Sequence, residues 1–229
     1  MVKRSVFIGA SLAMSGSAAL ADPAGAMPEL VEKSGEFDSG AFTKRVSRPA
    51  DIRQVWDAGK LYPQILGGVK NSLNALQFSL GISADRLATA LVTHNESNVL
   101  LYGNDAWARY NLGQVIGVHD PTGAVVSSNI FASARSTKTM TGPSDVHGYY
   151  QDASIETLQR RGVMFFVCNT ALVQHAETIV AAGTATGRDA EKVAETLRKS
   201  LLPGAMLVPS GVAIIALLQS RHHYAYITE

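Results

Sequence analysis

The chain has 229 residues, 46% of them hydrophobic, with 20 Lys plus Arg against 19 Asp plus Glu. That near-neutral balance, with no cluster of basic residues interleaved with aromatics, argues against a nucleic-acid partner. A single cysteine, Cys168, excludes an internal disulfide.

Lys3 and Arg4 precede an apolar stretch from Ser5 to Ala18, and Ala19-Leu20-Ala21 offers the small-x-small pattern of a cleavage site. Residues 1–21 are therefore expected to be a signal peptide, with a mature chain starting at Asp22 and exported to the periplasm. The apolar part is too short to predict a stable membrane span once the signal is cleaved. Roughly 208 residues would remain, enough for one domain that buries about 70% of its unfolded surface.

Residues 22–50 are rich in Pro, Gly, Ala and charge and read as an exposed lead-in carrying at most one short helix. From residue 51 to 229 short apolar runs alternate with segments of helical period, the pattern of strand-helix units around a mainly parallel sheet. The first strand is expected at 52–58 (IRQVWDA). A helix from Pro63 to Leu80 follows, with Ile65, Val69, Leu73, Leu76 and Leu80 on one face and Gly81 as its stop. The second strand is LATALVT, 87–93, and NDAWARYNLG forms a short helix behind it.

Residues 113–150 carry Gly, Pro, Ser, Thr and Asn without a clear period, and are expected to be a long insertion or lid loop. A helix over 152–161, closed by Gly162, leads into VMFFV at 163–167, so uniformly apolar that it predicts a central strand covered on both faces. Helices over 169–182 and 189–202 follow; in the second, Ala190, Val193, Ala194, Leu197 and Leu201 trace one buried stripe. AMLVP supplies a fourth strand. Ser210 is expected to cap a helix from Gly211 whose VAIIALLQ is apolar nearly all round and so predicts burial, and HYAYI at 223–227 is a fifth strand. The expected fold is α/β, a flavodoxin-like, doubly wound, mainly parallel five-stranded sheet with helices on both faces.

Ligands of such sheets sit beyond the carboxyl ends of the strands. Three strand ends carry polar or reactive groups: Thr93-His94-Asn95, Cys168-Asn169-Thr170 and Ser210-Gly211. Cys168 has two readings. At a helix N-terminus the backbone N–H groups and the helix dipole favour a thiolate nucleophile; at the end of a Val/Met/Phe strand the same residue is a small apolar filler. His94 would serve such a thiolate as hydrogen-bond donor or imidazolium partner, or is simply a hydrogen-bonded loop histidine.

The remaining histidines point less sharply to chemistry. His119 and His147 lie in the insertion and would reach the site only if that segment closed over it. His175 stands two turns along the helix after Cys168, too far to touch the sulfur, and His222-His223 read as surface residues. No pair shows the ligand spacing of C-x-x-C or H-x-x-x-H, so no structural zinc is expected, and a copper or zinc site would have to be assembled from distant loops. GxGxxG, P-loop and G-x-S-x-G sequences are absent, so neither a nucleotide cofactor nor an acyl hydrolase is expected.

The segments LQRRGVMFFVCNTAL, VTHNESNVLLYGNDAWARY and LVPSGVAIIALLQSRHHYAYI together resemble the DsrE/DsrF-like family, specifically its exported branch, over roughly residues 50 to 228. The resemblance implies a flavodoxin-like fold, a homo-oligomer (trimer or hexamer) and a cysteine at the corresponding strand end that takes up sulfur as a persulfide and passes it on. Cys168 matches that position. After it, the cytoplasmic carriers continue with alanines and an Arg-Gly pair, whereas this chain has Asn169-Thr170-Ala171-Leu172-Val173-Gln174. The expected function is a periplasmic sulfur carrier or sulfurtransferase with an unknown donor and acceptor. Cys168 and His94 would be its catalytic residues; Asn95, Asn169, Thr170, Ser210 and Gly211 would bind substrate, Asn169 and Thr170 through their backbone N–H groups. The alternatives are a non-enzymatic module for a small anion or metal, and a structural subunit of a periplasmic complex.

Overall fold

The computed structural model describes residues 37–135, 142–185, 187 and 189–228. The expected signal peptide lies outside these residues, as does the first part of the lead-in. The elements are α1 (Ser39–Val46), β1 (Ile52–Ala58), α2 (Gln64–Asn74), β2 (Leu87–Thr93), α3 (Asn104–Arg109), α4 (Leu112–Ile116), α5 (Ile155–Arg160), β3 (Met164–Cys168), α6 (Asn169–Ala181), α7 (Ala190–Lys199), β4 (Met206–Val208), α8 (Gly211–His222) and β5 (Ala225–Thr228). All five strands are parallel, in the order β4-β3-β2-β1-β5. This is the expected flavodoxin-like α/β sheet with helices on both faces. Among the described residues, no helix is long and apolar enough to cross a membrane.

β2 and β3 are buried along their whole length, which accounts for their unbroken apolar sequences. One face of the sheet carries the larger core, including Trp56, Leu91, Phe165 and Val167 with side chains of α2, α3, α5, α6 and α7. The other carries Val55, Val92 and Phe166 against α1 and α8. The chain steps in one direction from β1 to β4 and then returns past the whole sheet to place β5 beside β1. The helix after β3 therefore covers one face and the helix after the adjacent β4 covers the other. Their connections part at the carboxyl ends of β3 and β4, which makes this the topological switch point of the sheet.

Several expectations need correction. The lead-in is mostly exposed and carries one short helix where it is described, but it is anchored by that helix: Phe42 and Val46 of α1 are buried, Phe42 meets Phe166 edge-on at 5.4 Å, and Tyr224 Oη donates to Val46 O at 2.9 Å. The long second helix ends earlier as α-helix, continuing as one π turn over Ala75–Ser79, and Leu80 is exposed. β3 begins and ends one residue later than expected, so Cys168 is the last residue of the strand. α8 is not covered all round: Val212 is 63% exposed, and Ala213 and Ala216 also face outward.

The segment 113–150 is anchored where it is described, rather than lying free. Asn129 is buried and donates through Nδ2 to Leu100 O and Tyr102 O at 2.7 and 2.8 Å. Gly113 sits so close to the returning chain that a Cβ there would lie 1.9 Å from Val126 O.

Candidate functional site

Side chains of a strand alternate between faces, so residues two apart share one. Val55, Val92 and Phe166 belong to the face covered by α1 and α8. Asp57, His94 and Cys168 each stand two residues further on, at the carboxyl ends of β1, β2 and β3. Thr93 pairs with Val167, the last pair of that register, and His94 and Cys168 are the next residues after them. Gly211, the first residue of α8, closes over both. A Cβ on it would lie 2.9 Å from His94 Cβ, 3.3 Å from Val92 Cγ1 and 3.4 Å from Cys168 Cβ. Only glycine lets the start of α8 come this near.

The imidazole of His94 leans toward β1. Its Nε2 is 2.6 Å from Asp57 Oδ1, and both side chains are largely buried. Asp57 Oδ2 accepts from Tyr226 Oη at 2.6 Å, joining β5 to the cluster. Donation to the carboxylate pushes the Tyr226 phenol above its ordinary pKa. Gly59 provides the shelf for the ring, since a Cβ there would lie 2.7 Å from His94 Cε1. The backbone after β2 is fixed by Ser97, whose hydroxyl accepts from His94 N at 3.2 Å and donates to Ala58 O. Thus Tyr226, reaching up from β5, joins Asp57, which in turn holds His94 just beyond β2.

Cys168 is only 4% exposed. Its Sγ accepts one hydrogen bond, from Ala171 N at 3.4 Å, so the thiol caps α6. Among the described residues no hydrogen bond joins Sγ to either nitrogen of His94. The backbone of Cys168 is held by a single side chain: buried Asn98 donates Nδ2–H to Cys168 O at 2.7 Å and accepts from Cys168 N at 3.3 Å through Oδ1. Asn98 Oδ1 also accepts from Thr93 Oγ1 at 2.8 Å. Beyond Thr93 the chain leaves β2 for a 3-10 turn, Asn95–Leu101. The Asn98 amide thereby replaces the ladder partner that Cys168 would otherwise lack.

The structure brings His94, Cys168 and Gly211 together, and among the described residues none of the other expected residues hydrogen-bonds the sulfur. Asn169 Oδ1 accepts from Arg198 Nε at 3.1 Å, which ties it to α7. Thr170 gives both its backbone N–H and its hydroxyl to Pro209 O, so its amide is already engaged and the neighbouring Ala171 amide reaches the sulfur instead. Ser210 makes no side-chain capping bond to α8. Asn95 is exposed, in the left-handed region at φ 49°, on the wall of a cleft of about 350 Å³ with Asp57, Gly59, Lys60 and Thr228.

His147 lines a separate cleft of about 550 Å³ between α2 and residues 146–154. His119 is exposed, with Nδ1 3.1 Å from Gly117 O. His175 meets Tyr102 Oη at 3.1 Å and burial pushes its pKa down. His222 is partly buried, 3.3 Å from Ser47 Oγ. Among the described residues no group of three or more His, Cys, Asp or Glu side chains is arranged to hold a metal.

Asp57, Tyr226 and Asn98 were not singled out by the sequence. The one available signal was Asp57, a carboxylate next to last in the first expected strand, close to a strand end as His94 and Cys168 are. No known protein family, curated protein or solved structure matches the chain.

Proposed function

We propose that the chain is a periplasmic DsrE-like sulfur carrier, with Cys168 as the sulfur-accepting thiol and His94 as its proton partner. The observation that supports this reading is the convergence of Cys168, at the carboxyl end of β3, and His94, just beyond β2, on Gly211 at the start of α8. The thiol proton passes to His94, and the Cys168 thiolate attacks the outer sulfane sulfur of thiosulfate or a polysulfide. A new S–S bond forms on Sγ as the donor S–S bond breaks. Sulfite, or the shortened polysulfide, leaves with the electron pair, and no external oxidant is required. The Ala171 amide that now donates to Sγ would stabilise the anionic sulfur.

Intact-mass spectrometry after incubation with thiosulfate or polysulfide tests the proposal. A gain of about 32 Da, one sulfur atom, on the native chain and none on Cys168→Ser is the expected result. Absence of the gain on the native chain removes the proposal. The resemblance also carries a homo-oligomer, a trimer or hexamer, which sedimentation velocity reads directly.

The low exposure of Cys168 favours a second reading, a non-enzymatic module that holds a small anion beside the strand ends with Cys168 as part of the wall. In that case Cys168→Ala retains a ligand-induced rise in Tm with thiosulfate or phosphate, and no covalent adduct forms.

A further inference from the structure

We infer that Asp57 is a positioning residue, which together with Tyr226 fixes His94 as the tautomer protonated on Nε2 and leaves Nδ1 as the ring's proton acceptor. The inference rests on the sulfur-carrier reading for its role and on geometry for the assignment. An ionised carboxylate only accepts hydrogen bonds. At 2.6 Å from Asp57 Oδ1, Nε2 must therefore carry hydrogen, and a neutral ring has just one other nitrogen to receive a proton. Tyr226 Oη occupies the second carboxylate oxygen at 2.6 Å, which stops the carboxylate turning away. Gly59 leaves room for the ring in that orientation, because any larger residue would meet Cε1.

The arrangement also prepares the charged state. When Nδ1 takes a proton, the imidazolium lies against a carboxylate that is already hydrogen-bonded and largely buried. Sulfur transfer then proceeds from the thiolate, and the proton on Nδ1 goes to the departing sulfur anion. Asp57 touches neither sulfur; it acts only through the ring.

Nitrogen-15 NMR of histidine-labelled protein, above the pH at which the ring titrates, reads the tautomer. The native chain is expected to show His94 protonated at Nε2 and bare at Nδ1. Asp57→Asn is expected to remove that fixed state, moving both nitrogen shifts, and to slow polysulfide loading of Cys168 by about 100-fold or more. Tyr226→Phe, at a side chain 43% exposed and so tolerant of change, is expected to keep the Nε2–H tautomer and slow loading by roughly 3- to 10-fold. A native ring protonated at Nδ1, or an Asp57→Asn protein with native shifts and native loading, overturns the inference. If the native chain takes up no sulfur, the carrier reading fails, and the NMR shifts still decide the tautomer assignment.

Discussion

Replacing Asn98 by leucine, which has the same number and branching of heavy atoms, removes the one side chain that holds both backbone groups of Cys168 and leaves those polar groups without partners. Asn98 has no exposure, and its amide makes three bonds: to Cys168 O at 2.7 Å, from Cys168 N at 3.3 Å and from Thr93 Oγ1 at 2.8 Å. The Thr93 hydroxyl retains a second acceptor, Phe166 O at 3.2 Å. The Cys168 carbonyl, as the capping residue of α6, retains the first intrahelical bond. The Cys168 N–H has no replacement. One buried donor fully orphaned and one acceptor partly so amount to about 2–4 kcal/mol. At roughly 2–4 °C per kcal/mol for a domain of this size, the expected fall in Tm is about 4–16 °C. Urea unfolding should show a lower midpoint at unchanged slope. A loss below about 1 kcal/mol would refute the idea that this amide replaces a ladder partner.

Gly211→Ala should destabilise by about 1–3 kcal/mol in urea unfolding and disturb the His94 ring signals, because its Cβ meets His94, Val92 and Cys168 at 2.9–3.4 Å. Gly113→Ala, facing a backbone oxygen at 1.9 Å, should cost more than Gly211→Ala, whereas Gly67→Ala inside α2 meets nothing within 4 Å and should stabilise by about 0.5–1 kcal/mol. Burial holds the His175 and His222 pKa values below that of a free imidazole, so the unfolded chain takes up protons first as the pH falls. Stability should therefore decline as the pH drops below about 6.5, and His175→Phe should flatten part of that slope in urea midpoints measured between pH 5 and 7.5. The leader expected from the sequence alone is checked by N-terminal sequencing of protein recovered from an exporting bacterial host: a first residue of Asp22 agrees with it, and Met1 contradicts it.

The sheet was legible because its central strands are buried on both faces and show it in their composition. LATALVT has no room for a polar face, and β2 occupies the predicted residues, as does β1. The strand ends were legible as places, which is why His94, Cys168 and Gly211 come together. Their partners were not, because each is decided by register across the sheet. Asp57 lies 37 residues from His94 and reads locally as an ordinary turn-side carboxylate. Tyr226 reaches Asp57 only because β5 returns to the far side of β1.

Asn98 belongs to a segment whose 3-10 conformation has no apolar period to betray it. Helix α1 was obscured by its Gly- and charge-rich surroundings, where two apolar residues four apart, Phe42 and Val46, provide its whole buried face. The opposite error arose at α8. Its apolar sequence implies cover on every side, but only one face meets the sheet and Val212 looks outward. Cys168 is buried, as its reading as a small apolar filler expects, and its sulfur also caps α6.

The most direct test loads and discharges the sulfur in one sample. The protein is incubated with polysulfide, freed of excess reagent, weighed, then treated with cyanide and weighed again. The account predicts a gain of about 32 Da confined to Cys168, then its loss with one equivalent of thiocyanate released. A native chain whose mass never changes, or whose added sulfur is found equally on Cys168→Ser, contradicts it.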